Sequence, residues 1–183
     1  MIDRPQTFAK LVPAIDYIHP IEGYRSDSPT DRGGATKWGI SLRFLNLVSE
    51  GDINGDGHVD EHDVWAMMEE DKFFFYEKYF WRYYRLGELR DQQVANRIFS
   101  IFINFRGQDA AKIVQLACRS NLKRLAVDGI MGSETIRCIN SATPQSLLAA
   151  LRSEQASMYH KIVNRFPDQV ANLEGWIRRA YRY

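Results

Sequence analysis

Glu22, Asp27, Asp31 and Thr36 fall within one turn-rich stretch, Ile21 to Ile40, which reads Ile-Glu-Gly-Tyr-Arg-Ser-Asp-Ser-Pro-Thr-Asp-Arg-Gly-Gly-Ala-Thr-Lys-Trp-Gly-Ile. A carboxylic acid held near a second carboxylate and a hydroxyl can do acid–base chemistry on an acetal. The acid protonates the leaving oxygen, and the carboxylate activates water or stabilises the developing oxocarbenium ion. Here Glu22 is the candidate acid and Asp31 the candidate second carboxylate, with Asp27 competing for that role. Thr36 is the hydroxyl that can fix the attacking water. Eight residues separate Glu22 from Asp31, and four separate Asp31 from Thr36. Taken alone the set is unspecific, since any polar loop supplies one.

These residues need elements to position them. Phe8, Leu11, Val12, Ile15 and Ile18 follow the i, i+3, i+4, i+7 spacing of an amphipathic helix, and Thr7 can cap its start. Pro13 is expected to kink or restart that helix and Pro20 to stop it, because proline lacks the amide donor. Glu22 is then expected just past the helix C-terminus, where the dipole disfavours negative charge and favours the protonated acid. Residues 23–37 have turn composition, with at most a short strand pairing around residues 24–40. Residues 42–49 read as a second helix.

A separate loop follows. From Asp52 the chain reads Asp-Ile-Asn-Gly-Asp-Gly-His-Val-Asp-Glu-His-Asp. Oxygen-bearing Asp52, Asn54, Asp56, Asp60 and Asp63 fall at positions 1, 3, 5, 9 and 12, with His58 at position 7, glycine at position 6 and Val59 at position 8. This is the spacing of an EF-hand calcium loop, with aspartate in place of the usual glutamate at position 12. A calcium ion needs six to eight hard oxygens, which alternating short acids around a glycine turn can supply. A structural Ca2+ is therefore expected from Asp52, Asn54, Asp56, His58, Asp60 and Asp63. The competing reading is an Asx-Gly turn with solvated acids.

Residues 61–86 read as one long helix, and nine of the twelve residues from Phe73 to Tyr84 are aromatic. Aromatics on nearly every face mark a helix buried by several neighbours. Trp81 or Tyr84 is a candidate to line a sugar groove, since sugar rings lay their C–H faces on aromatic rings. Residues 93–117 form a further apolar helical region with Gly107 as a break. The Gly-punctuated run Val127 to Thr135 leads into a short helix that Ser133 or Asp128 can cap. Thr143-Pro144 opens the next helix, Pro167 ends it, and a basic-aromatic helix closes the chain. The class is mainly α by periodicity, with a small loop and β region carrying the site.

Composition narrows the partners. The chain has 183 residues, is 45% hydrophobic and has a formal net charge of +1. A core is affordable, and no charge excess points to nucleic acid. Cys118 and Cys138 cannot build a disulfide framework and are expected as buried free thiols. No secretory signal is visible at the N-terminus and no apolar run reaches bilayer length. A substrate outside the membrane then has to be reached by another export route or by lysis.

The wider context of the opening stretch is more specific. Glu22-Gly23-Tyr24, then Asp31-Arg32-Gly33-Gly34-Ala35-Thr36, then Trp38-Gly39-Ile40 resembles the signature of glycoside hydrolase family 108, the bacterial and phage N-acetylmuramidases. That family usually reads Glu-Gly-Gly-Tyr, an Asp-Pro, an Asp-Pro-Gly-Gly, a Thr and a Tyr-Gly-Ile. One glycine instead of two precedes Tyr24, Arg32 stands for a proline, and Trp38 stands for the common tyrosine. The Glu…Asp…Thr spacing is also similar to phage-type lysozymes, one residue short between Asp31 and Thr36. Asn104, Gly107, Val127-Asp128-Gly129-Ile130-Met131-Gly132 and Trp176 look like the family's usual companion, a predicted peptidoglycan-binding module. The combination is similar to the small muramidases of bacterial toxin export.

The resemblance implies a mainly α, lysozyme-like α+β fold and an endo-acting muramidase that cuts the β-1,4 bond between N-acetylmuramic acid and N-acetylglucosamine. Glu22 would be the catalytic acid, Asp31 and Thr36 its partners, and Tyr24, Trp38, Trp81 and Asn104 substrate-binding residues. A water held by Thr36 favours inversion, and a retaining route with a carboxylate nucleophile stays open. Residues 1–95 would form the catalytic region. Residues 96–183 would form the binding-like region, packed with the first into one body because no linker composition appears near residue 95. The expected partners are peptidoglycan glycan strands and an export or holin-like machinery, with action in the periplasm or cell wall. Two readings of other classes compete: an inactive, calcium-stabilised wall-binding module, and a calcium-binding adaptor that docks a protein.

Overall fold

Helix α5 (Gln92–Asn104) is the axis of the molecule, because Val94, Ala95, Ile98, Phe99, Ile101 and Phe102 leave it little polar face and all are buried. Asp91 starts it by accepting the Val94 amide at 2.9 Å. Helices α1 (Leu11–Glu22), α6 (Gly107–Arg119) and α8 (Pro144–Arg165) pack against it. The computed structural model describes residues 8–22, 25–26, 34–120 and 124–182, the side chains of residues 19–22 and 25–26 excepted.

In α1 the buried stripe is Leu11, Ala14, Ile15 and Ile18. It obeys the helical spacing but is rotated from the expected one: Phe8 and Val12 are 50% and 54% exposed. The small Ala14, fully buried, lets α1 approach α5 closely along a line that leaves Val12 outside. Pro13 lies in the first turn, where amides have no intrahelical acceptor, so it neither kinks nor restarts the helix. Pro20 does not stop it either. The helix keeps its path through the loss of one amide donor and ends at Glu22, which is its last residue instead of the first one beyond. The proposed cap, Thr7, lies outside the described residues.

A small antiparallel sheet follows in the order β1 (Arg25–Ser26), β2 (Thr36–Lys37) and β3 (Ile40–Ser41). Arg25 pairs with Lys37 and Ser26 with Thr36, while Lys37 pairs with Ile40. Trp38 and Gly39 form the two-residue turn between β2 and β3 with φ of 53° and 77°. A tight hairpin turn of the primed type needs positive φ at both positions. Ser41 then caps the single-turn helix α2 (Leu42–Leu45) by accepting the Phe44 amide at 3.2 Å. The helix expected over 42–49 is thus only its first turn.

The long helix expected over 61–86 is broken. It comprises α3 (Glu61–Ala66), α4 (Glu69–Phe75), a wide π-helical segment (Tyr76–Arg82) and a 3-10 turn (Leu86–Glu88). Met67 is extended, at ψ 133°, and Asp71 restarts the helix by accepting the Met68 amide at 2.7 Å. Phe75, Tyr76 and Trp81 enter the core, whereas Phe73, Phe74 and Tyr83 are 39%, 41% and 72% exposed. The segment is therefore not buried on all sides. The wide turn redistributes the aromatics, placing Tyr76 and Trp81 edge-to-face on Phe99 of α5.

Gly107 opens α6, as its sequence position suggests. A Cβ there would sit 2.1 Å from the Tyr84 hydroxyl, and Tyr84 is itself stacked on Phe102 at 3.8 Å. Beyond α6, Asp128 does not cap the next helix, and neither does Ser133. Gly132 occupies the N-cap of α7 (Ser133–Ser141). Asp128 instead orders its own loop, accepting the Gln115 side-chain amide at 2.7 Å and the Ile130 amide at 2.9 Å. The Gln115 bond, the larger cause, holds the Asp128 carboxyl below the usual carboxylate range.

Thr143-Pro144 opens α8 as expected. Pro167 begins a 3-10 turn (Pro167–Gln169) that leads into α9 (Val170–Tyr181). Buried Arg97 of α5 ties both helices down, donating to Gln155 Oε1 at 2.6 Å and to the Ala180 carbonyl. Cys118 and Cys138 are free and buried, and burial pushes both thiols up. One continuous core runs from Ala9 to Leu151, drawing on both halves of the chain. Among the described residues no helix is long and apolar enough to cross a membrane.

Candidate active site

Helix α1 carries Glu22 at its C-terminal end, and the same helix forms one wall of a cleft of about 620 Å³. Val12, Ile15 and Asp16 line that wall, opposite Glu69, Glu70, Lys72 and Phe73 of α4. Glu22 stands seven residues, two helical turns, beyond Ile15, and so about 10 Å further along the axis in the same register. The volume falls within the range of small-molecule sites.

The sheet brings the threonine alongside. Ser26, four residues after Glu22, pairs with Thr36. Strand pairing places their Cα atoms about 5 Å apart. The Thr36 hydroxyl donates to the Gly34 carbonyl at 3.1 Å. Its oxygen keeps acceptor capacity for a water proton.

A cation–aromatic cluster fastens this hairpin to the cleft. The Trp38 ring is buried, with the Lys37 ammonium 4.5 Å and the Lys72 ammonium 5.0 Å from its centroid. Lys37 also donates to the carbonyls of Trp65 at 3.0 Å and Met67 at 2.5 Å. Lys72 is buried, pairs with Glu69 at 3.3 Å and faces the cleft. Trp38 thus links the strand of Thr36 to a residue of the cleft wall.

The other expected site residues divide. The Glu22 side chain and all of Tyr24, Asp27 and Asp31 lie outside the described residues. Trp81 is a core residue, packed against Phe99, and its ring nitrogen lies 3.1 Å from where a Cβ on Gly87 would stand. Tyr84 is half-buried, and burial raises its phenol. Asn104 joins α5 to α9 by accepting from Arg179 at 2.7 Å and donating to the Ser100 carbonyl at 2.8 Å. The cleft-lining Asp16, Lys72 and Phe73 were not singled out in the sequence. The apolar spacing of α1 gave no signal for them, since it grouped Val12 with the core residues that the structure separates it from.

The acidic loop folds around its own amides. Asp52 accepts from Gly55 at 2.8 Å and Asp56 at 3.1 Å through Oδ1, and from Gly57 at 2.9 Å through Oδ2. Asn54 accepts from Asp56 at 2.9 Å, and Asp56 from His58 at 2.9 Å. Asp60 caps α3 by accepting the His62 amide at 2.7 Å. Asp63 is fully buried and accepts from Ile53 at 2.7 Å, Asn54 at 3.1 Å and Asp60 at 2.8 Å. Burial alone would raise its pKa, but these three amides together outweigh that and hold it below the usual value. Among the described residues, no three His, Cys, Asp or Glu side chains are disposed to hold a metal ion.

Residues 15–105 match the family model described as Glycosyl hydrolase 108, and residues 109–181 match that of the Predicted Peptidoglycan domain. The two matches meet at the bend between α5 and α6. A solved structure of Brucella abortus SagA has the same fold, with a TM-score of 0.67 at 20% identity over 92% of each chain. No curated protein matches by sequence.

Proposed function

We propose, from the premise that this chain belongs to the glycosyl hydrolase 108 family and is a peptidoglycan hydrolase of the muramidase type, that Glu22 is its general acid. The bond cut is the β-1,4 link between N-acetylmuramic acid and N-acetylglucosamine within glycan strands. One observation carries the assignment: Glu22 ends the helix that walls the cleft, and the strand pairing four residues later joins Ser26 to Thr36. The helix C-terminus disfavours a charged carboxylate there, which suits an acid that must hold its proton.

Asp31, or Asp27, supplies the second carboxylate, and Thr36 positions the water. A water held between the carboxylate and the sugar gives single displacement with inversion. The region of residues 1–95 is the catalytic part. Residues 96–183 engage the wall polymer, and Tyr24 contacts the sugar, while Trp38 and Trp81 act through packing in the core and Asn104 through its tie to α9. Delivery to the periplasm or cell wall proceeds by an export or holin-like machinery or by lysis.

The loop of residues 52–63 is proposed to bind a structural calcium ion. Its spacing supports this, and Oδ2 of Asp52 and Oδ2 of Asp63, each holding one amide, can accept a further partner. The amide bonds orient the ligands, and binding requires Asp56 and its neighbours to draw inward. The ion would brace the start of α3 and supply no chemistry at Glu22.

The test of function is purified peptidoglycan incubated with the protein. Release of new reducing ends supports the muramidase. Binding to sacculi without reducing ends supports the inactive binding module instead.

A further inference from the structure

We propose that the α1–α4 cleft is a saccharide subsite in which Phe73 is the stacking platform and Asp16 and Glu70 accept sugar hydroxyl or amide protons. The inference rests on the glycan-cleaving reading above and names which sugar the cleft selects.

Two of the exposed apolar side chains meet across this cleft. Val12 is 54% and Phe73 is 39% exposed, and both line the cleft. A phenyl ring left half-open on a concave wall offers a flat apolar face of the size of a pyranose ring. Ile15, on the core-facing side of α1, forms the floor between them. The polar groups at the rim suit a polyol: carboxylates accept hydroxyl and amide protons, and such charged acceptors make the stronger hydrogen bonds.

The charge of the lining sets the selectivity. Asp16, Glu69 and Glu70 bring three carboxylates, against the one ammonium of Lys72, which is already paired with Glu69 and packed on Trp38. A sugar with a free acidic substituent would place its carboxylate among like charges. The cleft therefore takes the neutral N-acetylhexosamine of the strand and disfavours a residue with a free lactyl carboxylate. Its α1 wall at Ile15 lies two helical turns, about 10 Å along the axis, before Glu22, so the bound sugar sits on the helix that ends at the acid.

The test uses full-length Glu22→Gln protein, so that binding is read without turnover, titrated with a neutral β-1,4 N-acetylglucosamine oligomer. Adding Phe73→Ala is expected to weaken binding about tenfold, and Phe73→Tyr to restore it. In the otherwise unaltered enzyme, Phe73→Ala should raise KM on peptidoglycan more than it lowers kcat, with an unchanged melting temperature. An oligomer carrying free lactyl carboxylates should bind more weakly than the neutral one, and the Asp16→Asn/Glu70→Gln variant should narrow that gap. Equal binding by the Phe73→Ala and parent proteins overturns the platform. Equal binding of the two oligomers overturns the selectivity. Full activity of Glu22→Gln would instead overturn the acid assignment and leave the binding result standing.

Discussion

The phenolic hydroxyl of Tyr76 donates to the backbone carbonyl of Trp38, joining the wide helical segment to the tip of the β2–β3 hairpin. Trp38 is a bulky residue at positive φ, a backbone state that costs on the order of 1–3 kcal/mol and persists only when its surroundings determine it. Tyr76, Lys37 and Lys72 provide those surroundings. The hairpin that carries Thr36 is thus held from below by the aromatic helix.

Replacing Tyr76 by Phe removes this hydrogen bond to the Trp38 carbonyl. The expected loss is about 1 kcal/mol, read as a lowered melting temperature. Activity should fall further than the folded fraction does, because the Thr36 strand loses its anchor. A Tyr76→Phe protein with wild-type melting and turnover would contradict the role given to this contact.

Gly107 is needed for a different reason, close approach. Ala at this position drives its Cβ into the Tyr84 hydroxyl, which the stack on Phe102 holds in place. Gly107→Ala should cost about 1–3 kcal/mol from overpacking. Tyr84→Phe in the same protein should recover part of it by removing the nearest atom. A thermal double-mutant cycle measures the coupling, and strictly additive losses would argue against the clash.

Asp63 predicts a pH dependence. Its native pKa lies below the unfolded value, because the amides of Asp60, Asn54 and Ile53 favour the charged form more than burial opposes it. The stabilisation is therefore fully present above the unfolded value of about 4 and is lost as pH falls through the native one. Wild type should lose stability in this acid window, while Asp63→Asn, destabilised already at neutral pH, should lose less there. Parallel pH curves for the two proteins would contradict this.

The calcium proposal makes its own claim on the same loop. Calcium should raise the melting temperature and a chelator should lower it again, with Asp52→Ala abolishing the response. No shift in wild type would sink the ion site and leave the amide-bonded Asx turn as the complete description.

How much of this was legible in the sequence depends on the kind of signal. Helix existence was readable wherever apolar spacing was strong, as in α5, and the short strand pairing around residues 24–40 is present. Pro20 misled because a single lost amide near a helix end is tolerated when Ile18 and its neighbours are packed. The run from Phe73 to Tyr84 misled because its aromatics fit any helical period, so neither the break at Met67 nor the wide turn left a mark. The family was legible in the wider motif from Glu22 to Ile40, and the match over residues 15–105 agrees with it. The cleft was not, since Asp16 and Phe73 come together only through the packing of α1 beside α4.

The most direct test of the account is reducing-end release from purified peptidoglycan by wild type and by Glu22→Gln, with sacculus binding and melting temperature measured on both. Glu22→Gln should bind and melt like wild type and release reducing ends at least about a hundredfold more slowly, the lower end expected for a lost general acid. Wall digestion by Glu22→Gln at the wild-type rate would contradict the assignment of Glu22.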